Sequence, residues 1–348
     1  MPIQHKKDDY LVRIENKVRE QIRGENIGFL LGAGASALDG QGYPMAAALW
    51  DVIKSRVKNP FQEEIQAKLD TENVWGIEQA LDLLDDGKPE GCPHRHLVIE
   101  AIAAEFLSIT PPLDSHAIFL EKLSKRRRKF YYPIFCLNYD PLLEKSAEFA
   151  KIRIYDGFHG HERAFFDGNI FREIIGIPQT PKKRGQAVSM MVEGLIHLIK
   201  LHGSMGWFIF DDNEIRRIPT FEPLPPNGRR LMIPPQHRKM QETTTPPYST
   251  LWTFYNQRLV HGQLLNRLAC IGYGMRDYHV NAPIEQALAN RNFTLLILSR
   301  SLGGDVFKYW SKYENTLIVT KAKCSMRGEI GPGHPTLWDF QYIAEEVI

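Results

Sequence analysis

Asn138, Asp140 and His202 are the side chains whose types and settings could do chemistry together: an amide, a carboxylate and an imidazole. Each stands just after an apolar run, Tyr131–Leu137 for Asn138-Tyr139-Asp140 and Leu195–Leu201 for His202-Gly203-Ser204. A third segment, Gly32-Ala33-Gly34-Ala35-Ser36-Ala37, follows the apolar run Ile27–Leu31 and precedes a helix-like stretch. It fits the loose G-x-G-x-x-A fingerprint, in which glycines let the backbone approach a pyrophosphate and a helix N-terminus supplies N–H donors and positive dipole. Gly272-Tyr273-Gly274 closes a further strand-like run and leads to Asp277, His279 and Asn281. Strand ends in an open parallel sheet converge on one ligand crevice, so the four segments read together as a dinucleotide site with reactive groups attached.

Such a site needs a sheet that brings these ends to one edge. Strand-like runs occur at Ile27–Leu31, Tyr131–Leu137, Arg153–Tyr155, Leu195–Leu201, Ala269–Tyr273, Phe293–Leu298 and Thr316–Thr320. They are short and mostly apolar on both faces, as strands covered by helices on both sides must be. Helical patterns at Pro141–Ala150, Thr250–Leu268, His279–Asn290 and Asp305–Lys312 alternate with them. The expected fold is α/β, a doubly wound, mainly parallel, Rossmann-like sheet. Residues 59–125 carry several helix patterns and no strand, which marks a helical insertion between core segments 27–58 and 126–320. An amphipathic helix fills residues 1–26, and 321–348 form a C-terminal segment. The stretches Gly157–Gln186 and Ile218–Pro247 are rich in Pro, Gly and charge and read as long loops of the lid or binding kind.

Bulk properties narrow the classes. At 348 residues the chain has material for about two modules. With 43 basic against 41 acidic side chains its overall field does not attract polyanions, which disfavours direct nucleic-acid binding. No apolar run nears the roughly 20 residues of a membrane helix, and the polar start Met1–Tyr10 is unlike a secretory signal, so a cytoplasmic setting without membrane attachment is expected. Cys92, Cys136, Cys270 and Cys324 form no C-x-x-C pair, so no zinc ribbon and no metal are expected. Cys136 and Cys270 lie in strand-like runs and read as buried free thiols. His159, His161 and His237 lack ligand spacing and receive no role.

Each motif also has a plainer account. The glycine segment could be a tight turn, and Asn138 or Asp140 could simply cap the helix that Pro141 begins. His202 could be a hydrogen-bonded structural histidine, and Asp277 could cap the helix near His279. The acid that binds ribose in dehydrogenases should end a second strand about 20 residues after the fingerprint. Asp51 has that spacing but lies in the helical pattern Met45–Val57, which argues against an ordinary dehydrogenase. The basic run Lys125–Lys129 fits a solvated helix end, with docking to an acidic partner as the alternative.

The order and setting of these segments resemble the sirtuin (silent information regulator) superfamily, closest to the sirtuin-like NADase branch of bacterial antiphage defence. The resemblance spans about Ile27 to Thr320 and rests on the GAGAS loop, Gly42-Tyr43-Pro44, the strand-end Asn-Tyr-Asp and His-Gly-Ser, Ile233-Pro234-Pro235, and Ile271–Asn281. It implies a single catalytic domain that cleaves NAD+ to nicotinamide and ADP-ribose as the effector of an abortive-infection system. It further implies that Asn138 positions the ribose and a water, Asp140 holds the nicotinamide carboxamide and His202 is the general base. Gly32, Ala33, Gly34, Ser36, Tyr139, Gly272, Tyr273, Asp277 and His279 would line the dinucleotide, with Ser299 near its adenosine. Family deacylases carry a four-cysteine zinc ribbon, a Phe-Arg pair after the first-loop proline and a Gln before the Asn. Here the zinc ribbon cannot form, Met45-Ala46 follow Pro44, and Leu137 precedes Asn138. These departures weigh against peptide deacylation or ADP-ribosyl transfer; a non-catalytic NAD or ADP-ribose sensor is the other alternative. The resemblance also implies control by assembly, through a homo-oligomer or a partner such as a HerA-type hexameric ATPase. The amphipathic N-terminal helix and the 125–129 run are the candidate docking surfaces.

Overall fold

The computed structural model describes residues 2–71, 74, 76–85, 93–126, 131–160, 162–173, 177–179, 189–191, 195–220, 225, 227–233, 242–260 and 265–348. Its centre is a nine-stranded sheet of β1 (Ile27–Leu31), β2 (Tyr132–Cys136), β3 (Ile154–Tyr155), β4 (Ile196–Lys200), β5 (Arg267–Ile271), β6 (Thr294–Leu298), β7 (Thr316–Val319), β8 (Lys323–Met326) and β9 (Glu329–Pro332). The spatial order is β9-β8-β7-β6-β5-β1-β2-β4-β3. The seven strands from β7 to β3 run parallel; β8 and β9 add an antiparallel edge. The protein is therefore a mixed α/β molecule with a large, mostly parallel sheet, an arrangement compatible with a Rossmann-like fold.

Apolar runs become strands here because both faces are covered. Phe29 and Leu31 of β1 pack on one side with Ile14, Val18 and Ile22 of the helix Pro2–Arg23, and with Phe119 and Leu123 of the helix Asp114–Lys125. Leu30, one residue out of phase, packs on the other side with Tyr255 of the helix Tyr248–Val260 and Ile284 of the helix Tyr278–Leu288. Ile14, Val18 and Ile22 of the N-terminal helix are thus buried inside the chain, while Val12 is exposed on the same helix. Of the basic run, Lys125 pairs with Glu121 and Arg126 donates to Ile22 O, while 127–129 lie outside the described residues.

Two further layers differ from the sequence reading. The stretches read as long loops contribute short strands. Phe158–His159, Ala164–Phe166 and Arg229–Met232, with Ile215–Arg217 just before the second stretch, form a five-stranded antiparallel sheet with Gly203–Ile209, and Ile177–Gln179 pairs with Ser189–Met191, just past the first. Strands of two to four residues, with Arg216, Arg217, Arg229 and Arg230 among them, carry too little alternation to be seen. The helical pattern assigned to Thr250–Leu268 ends at Val260, and Arg267 and Leu268 open β5 instead. In the helical region, Phe61–Leu69, Ile77–Asp85 and Pro93–Ser108 build a separate core around Trp50, Ile65, Leu81, Ile102 and Phe106. That core also takes Tyr43, Met205 and Met232, so it covers the antiparallel sheet. The helix Asp114–Lys125 belongs by packing to the central sheet. Among the described residues, no helix is long and apolar enough to cross a membrane.

Two core histidines make stability sensitive to acid. His116 is stacked on Phe340 with ring centroids 4.2 Å apart, and His197 of β4 on Tyr131 at 3.7 Å. Both are buried, and burial pulls each imidazole down to about 3. Between pH 6.5 and 3 the unfolded chain therefore binds two protons that the folded chain refuses. Each histidine then removes about 1.4 kcal/mol of stability per pH unit as pH falls. Burial pushes the Asp140 and Asp156 carboxyls up, which acts with the opposite sign, so the comparison is with a variant. His116→Phe/His197→Phe is expected to lose stability between pH 7 and 5 less than wild type, by about 4 kcal/mol in urea titrations. Parallel profiles for the two proteins would refute this.

Candidate functional site

The sheet's chain order marks the place where sheets of this kind take their ligands. From β1 the chain builds β2, β3 and β4 on one side, then crosses to build β5, β6 and β7 on the other, so the strand order reverses between β1 and β5. Ligands of open α/β sheets bind beyond the strand ends at that point. The exits of the strands stand level there, each first loop residue donating to the last residue of a neighbouring strand or the residue after it: Gly32 N to Ile271 O, Leu137 N to Leu31 O, Leu201 N to Cys136 O, Gly272 N to Leu298 O and Ser299 N to Val319 O.

Gly32, Gly34 and Gly272 form the crossing of two loops. Gly34 N donates to Gly272 O, and a Cβ at Gly272 would stand 2.3 Å from Ala35 N at a φ of +65°. A Cβ at Gly32 would meet Gly272 O at 2.7 Å. These glycines are required first by backbone contact between β1 and β5 exits. Gly274 differs, since a Cβ there meets nothing within 4 Å, leaving open space beside the same loop. Gly42-Tyr43-Pro44 returns to the first loop through Tyr43 N to Ser36 O.

Asn138, Ser36 and Asp140 make one buried network. Asn138 Nδ2 donates to Gly32 O at 3.0 Å and to Ser36 Oγ at 2.8 Å, which fixes the amide's orientation. Asn138 Oδ1 accepts nothing among the described residues and is the atom left to take a hydrogen bond from a water or a ribose hydroxyl. Asp140 Oδ1 accepts Leu142 N–H at 3.1 Å, the capping contact that was its plainer account, and the Ser36 hydroxyl also faces this carboxylate. Burial pushes the Asp140 carboxyl up, opposed by Lys200.

Sequence reasoning passed over Lys200 and Glu144. Lys200 Nζ donates to Asp140 O and to Glu144 Oε1 at 2.9 Å, below the Asn138–Asp140 turn. Burial alone would pull its ammonium down, but Glu144, Cys136 and Asp140 hold it above the usual lysine value. Burial pushes the Cys136 thiol up to about 12, which suits an inert structural thiol; Cys270 and Cys324 are also buried and free, and Cys92 lies outside the described residues. The signals were a lysine inside an apolar strand and a glutamate four residues after Asp140.

His202 is buried in the turn between β4 and the strand Gly203–Ile209, its carbonyl bound by Ile233 N. Its ring neighbours those of Tyr139 and Trp252, at centroid distances of 6.5 and 6.3 Å. His202 Nε2 stands 3.5 Å from Asp277 Oδ2. Asp277 also caps the helix Tyr278–Leu288, with Oδ1 accepting His279 N–H at 3.1 Å. The sequence put both residues at one crevice but gave no sign that they pair, since 75 residues separate them. Tyr273 binds the same loop, its hydroxyl accepting Asp277 N–H and facing Asn281 Oδ1 at 3.1 Å. Tyr139 Oη donates to Ile233 O.

The structure thus brings Gly32, Gly34, Ser36, Asn138, Asp140, Gly272 and Tyr273 into one contact set, with His202 and Asp277 beside each other. Ala33 opens the helix Ala33–Ala37 next to them, and His279 and Ser299 flank the set; Ser299 Oγ donates to Ser301 O within its own turn. Asp51 lies exposed on the helix Leu49–Ile53, paired with Lys54. Pro234 and Pro235 lie outside the described residues. Among the described residues, no cluster of three His, Cys, Asp or Glu could hold a metal ion. No family model and no curated protein matches the chain.

Proposed function

We propose that the protein hydrolyses NAD+ to nicotinamide and ADP-ribose in a Rossmann-like crevice at the β1/β5 reversal. The supporting observation is a buried imidazole with a carboxylate 3.5 Å from it and, at the exit of the neighbouring strand, an amide locked by its N–H donors with its oxygen available. The nicotinamide nitrogen is already cationic, so the leaving group departs neutral and needs no general acid. The site must instead stabilise an oxocarbenium-like ribose and deliver a partly deprotonated water. His202 takes the water's proton, Asp277 orients the imidazole and stabilises the imidazolium, and Asn138 Oδ1 holds the water or a ribose hydroxyl. Asp140 and Ser36 hold the Asn138 amide against the Gly32 loop.

Purified protein incubated with NAD+ is expected to release nicotinamide and ADP-ribose in equal amounts, read by mass spectrometry. Added acetylated peptide is expected to leave free ADP-ribose as the product, with no O-acetyl ester. Calorimetric binding of NAD+ without nicotinamide release would overturn the reading in favour of a sensor.

A further inference from the structure

We infer that the crevice admits a dinucleotide carrying a phosphate monoester on its adenosine ribose, so that NADP+ is a substrate beside NAD+, with Arg300 and Arg276 as the residues that accept that phosphate. The inference rests on the NAD+-cleavage reading for the direction in which the dinucleotide lies. Asn138, Asp140 and His202 follow β2 and β4, on one side of β1. A dinucleotide whose nicotinamide end meets them must carry its adenosine end across β5 and β6.

At that end, dinucleotide sheets choose between two chemistries. A carboxylate accepts the ribose 2′-hydroxyl and repels a 2′-phosphate, whereas an arginine accommodates it. The turn after β6 reads Ser299-Arg300-Ser301-Leu302-Gly303 with no carboxylate of its own, and exposed Asp305 follows in the first turn of the helix Gly304–Trp310. The turn abuts the glycine crossing through Gly272 N to Leu298 O. The Arg300 side chain is 59% exposed, its guanidinium over the Trp338 ring at 5.6 Å and 3.4 Å from Asp39 Oδ1. Asp39 belongs to the turn that follows the helix Ala33–Ala37, so Arg300 reaches from the β6 exit toward the first glycine loop. Exposed Arg276, two residues past Gly274, sends Nη2 to within 3.9 Å of where a Cβ of Gly303 would stand. Two guanidiniums therefore bracket one turn.

The partners of these arginines do not compete with a phosphate. Among the described residues Arg276 makes no ion pair. The Asp39 carboxylate is 92% exposed, and an ion pair so solvated contributes little. A phosphate monoester offers a guanidinium two parallel charge-assisted hydrogen bonds in place of one loose contact.

The test uses the full chain with NAD+ and NADP+ as substrates, and with ADP-ribose and 2′-phospho-ADP-ribose as calorimetric ligands. Wild type is expected to show kcat/KM for the two dinucleotides within about tenfold, and to bind the phosphorylated ADP-ribose at least as tightly as the plain form. Arg300→Glu should lower the NADP+ to NAD+ ratio, and the matching affinity ratio, by about tenfold or more. Asp39→Asn should raise both ratios, a sign that a merely structural role for the Arg300–Asp39 contact does not produce. Added salt should raise KM for NADP+ more steeply than for NAD+, because exposed charges are screened within about 8 Å at physiological ionic strength. If neither dinucleotide is cleaved, the hydrolysis reading fails and NADP+ is no substrate, while the titrations still decide whether Arg300 and Arg276 accept the phosphate. Hundredfold rejection of the phosphorylated ADP-ribose by wild type overturns it. So does no binding of either form, or a folded Arg300→Glu protein with unchanged ratios.

Discussion

His202→Ala is expected to lower nicotinamide release from NAD+ by two orders of magnitude or more, the range for loss of a general base, equivalent to about 2.7 kcal/mol of barrier. The imidazole is buried near Tyr139 and Trp252 and beside Asp277, and in the proposed reaction its removal takes away the acceptor for the water's proton. Asp277→Asn separates chemistry from folding. Asparagine caps a helix as well as aspartate does and can still accept His279 N–H, so thermal stability should hold while kcat falls about tenfold or more. Asn138→Ala is expected to match His202→Ala in turnover but also to lose stability, since it removes the bonds to Gly32 O and Ser36 Oγ. Wild-type turnover by a folded His202→Ala protein would end the assignment of the base.

The largest stability effect is expected at Lys200 and Glu144. Glu144→Ala leaves a buried ammonium with only the Asp140 carbonyl as acceptor, and breaking such a pair costs about 3–5 kcal/mol. Replacing both partners by apolar side chains of similar size removes the uncompensated charge. Lys200→Met/Glu144→Leu should therefore recover most of the stability that Glu144→Ala loses. Urea midpoints for the single and double variants measure this directly. Additive losses in the double variant would show that the pair does not act as a unit. Turnover reads a separate effect, because Lys200 also holds the main chain of the turn that carries Asn138.

The parallel strands were legible because burial on both faces writes an uninterrupted apolar run into the sequence. Ile27–Leu31 begins and ends where the pattern does, and Leu195–Leu201 overshoots β4 by one residue at each end. The strand-end position of Asn138, Asp140, His202 and Gly272 followed from the same runs. The antiparallel sheet was not legible, since Ile215–Arg217 and Ala164–Phe166 are too short for a period of two to stand out. Contacts between distant segments were also hidden. Nothing local to His202 announces Asp277, and nothing local to Gly272 announces that Gly34 will cross it. The glycine fingerprint was read through a pyrophosphate, yet its Cβ positions are closed by protein backbone. Asp140 shows how one spacing serves two accounts: it caps the next helix and also joins the Ser36–Asn138 network.

The crossing of the two glycine loops sets a timetable for synthesis. β1 lies between β2 and β5, and Ile27 pairs with Arg267, about 240 residues later in the chain. Until β5 has left the ribosome, the Gly32 loop has no Gly272 to rest on and Asp277 cannot stand beside His202. Closing so long a separation is the entropically slow step of assembly. The N-terminal half can gather its helices and its β1–β2 ladder early, but the imidazole–carboxylate pair forms only when the late strands dock. A nascent or truncated chain that lacks β5 therefore carries His202 without the carboxylate that stands beside it in the finished fold.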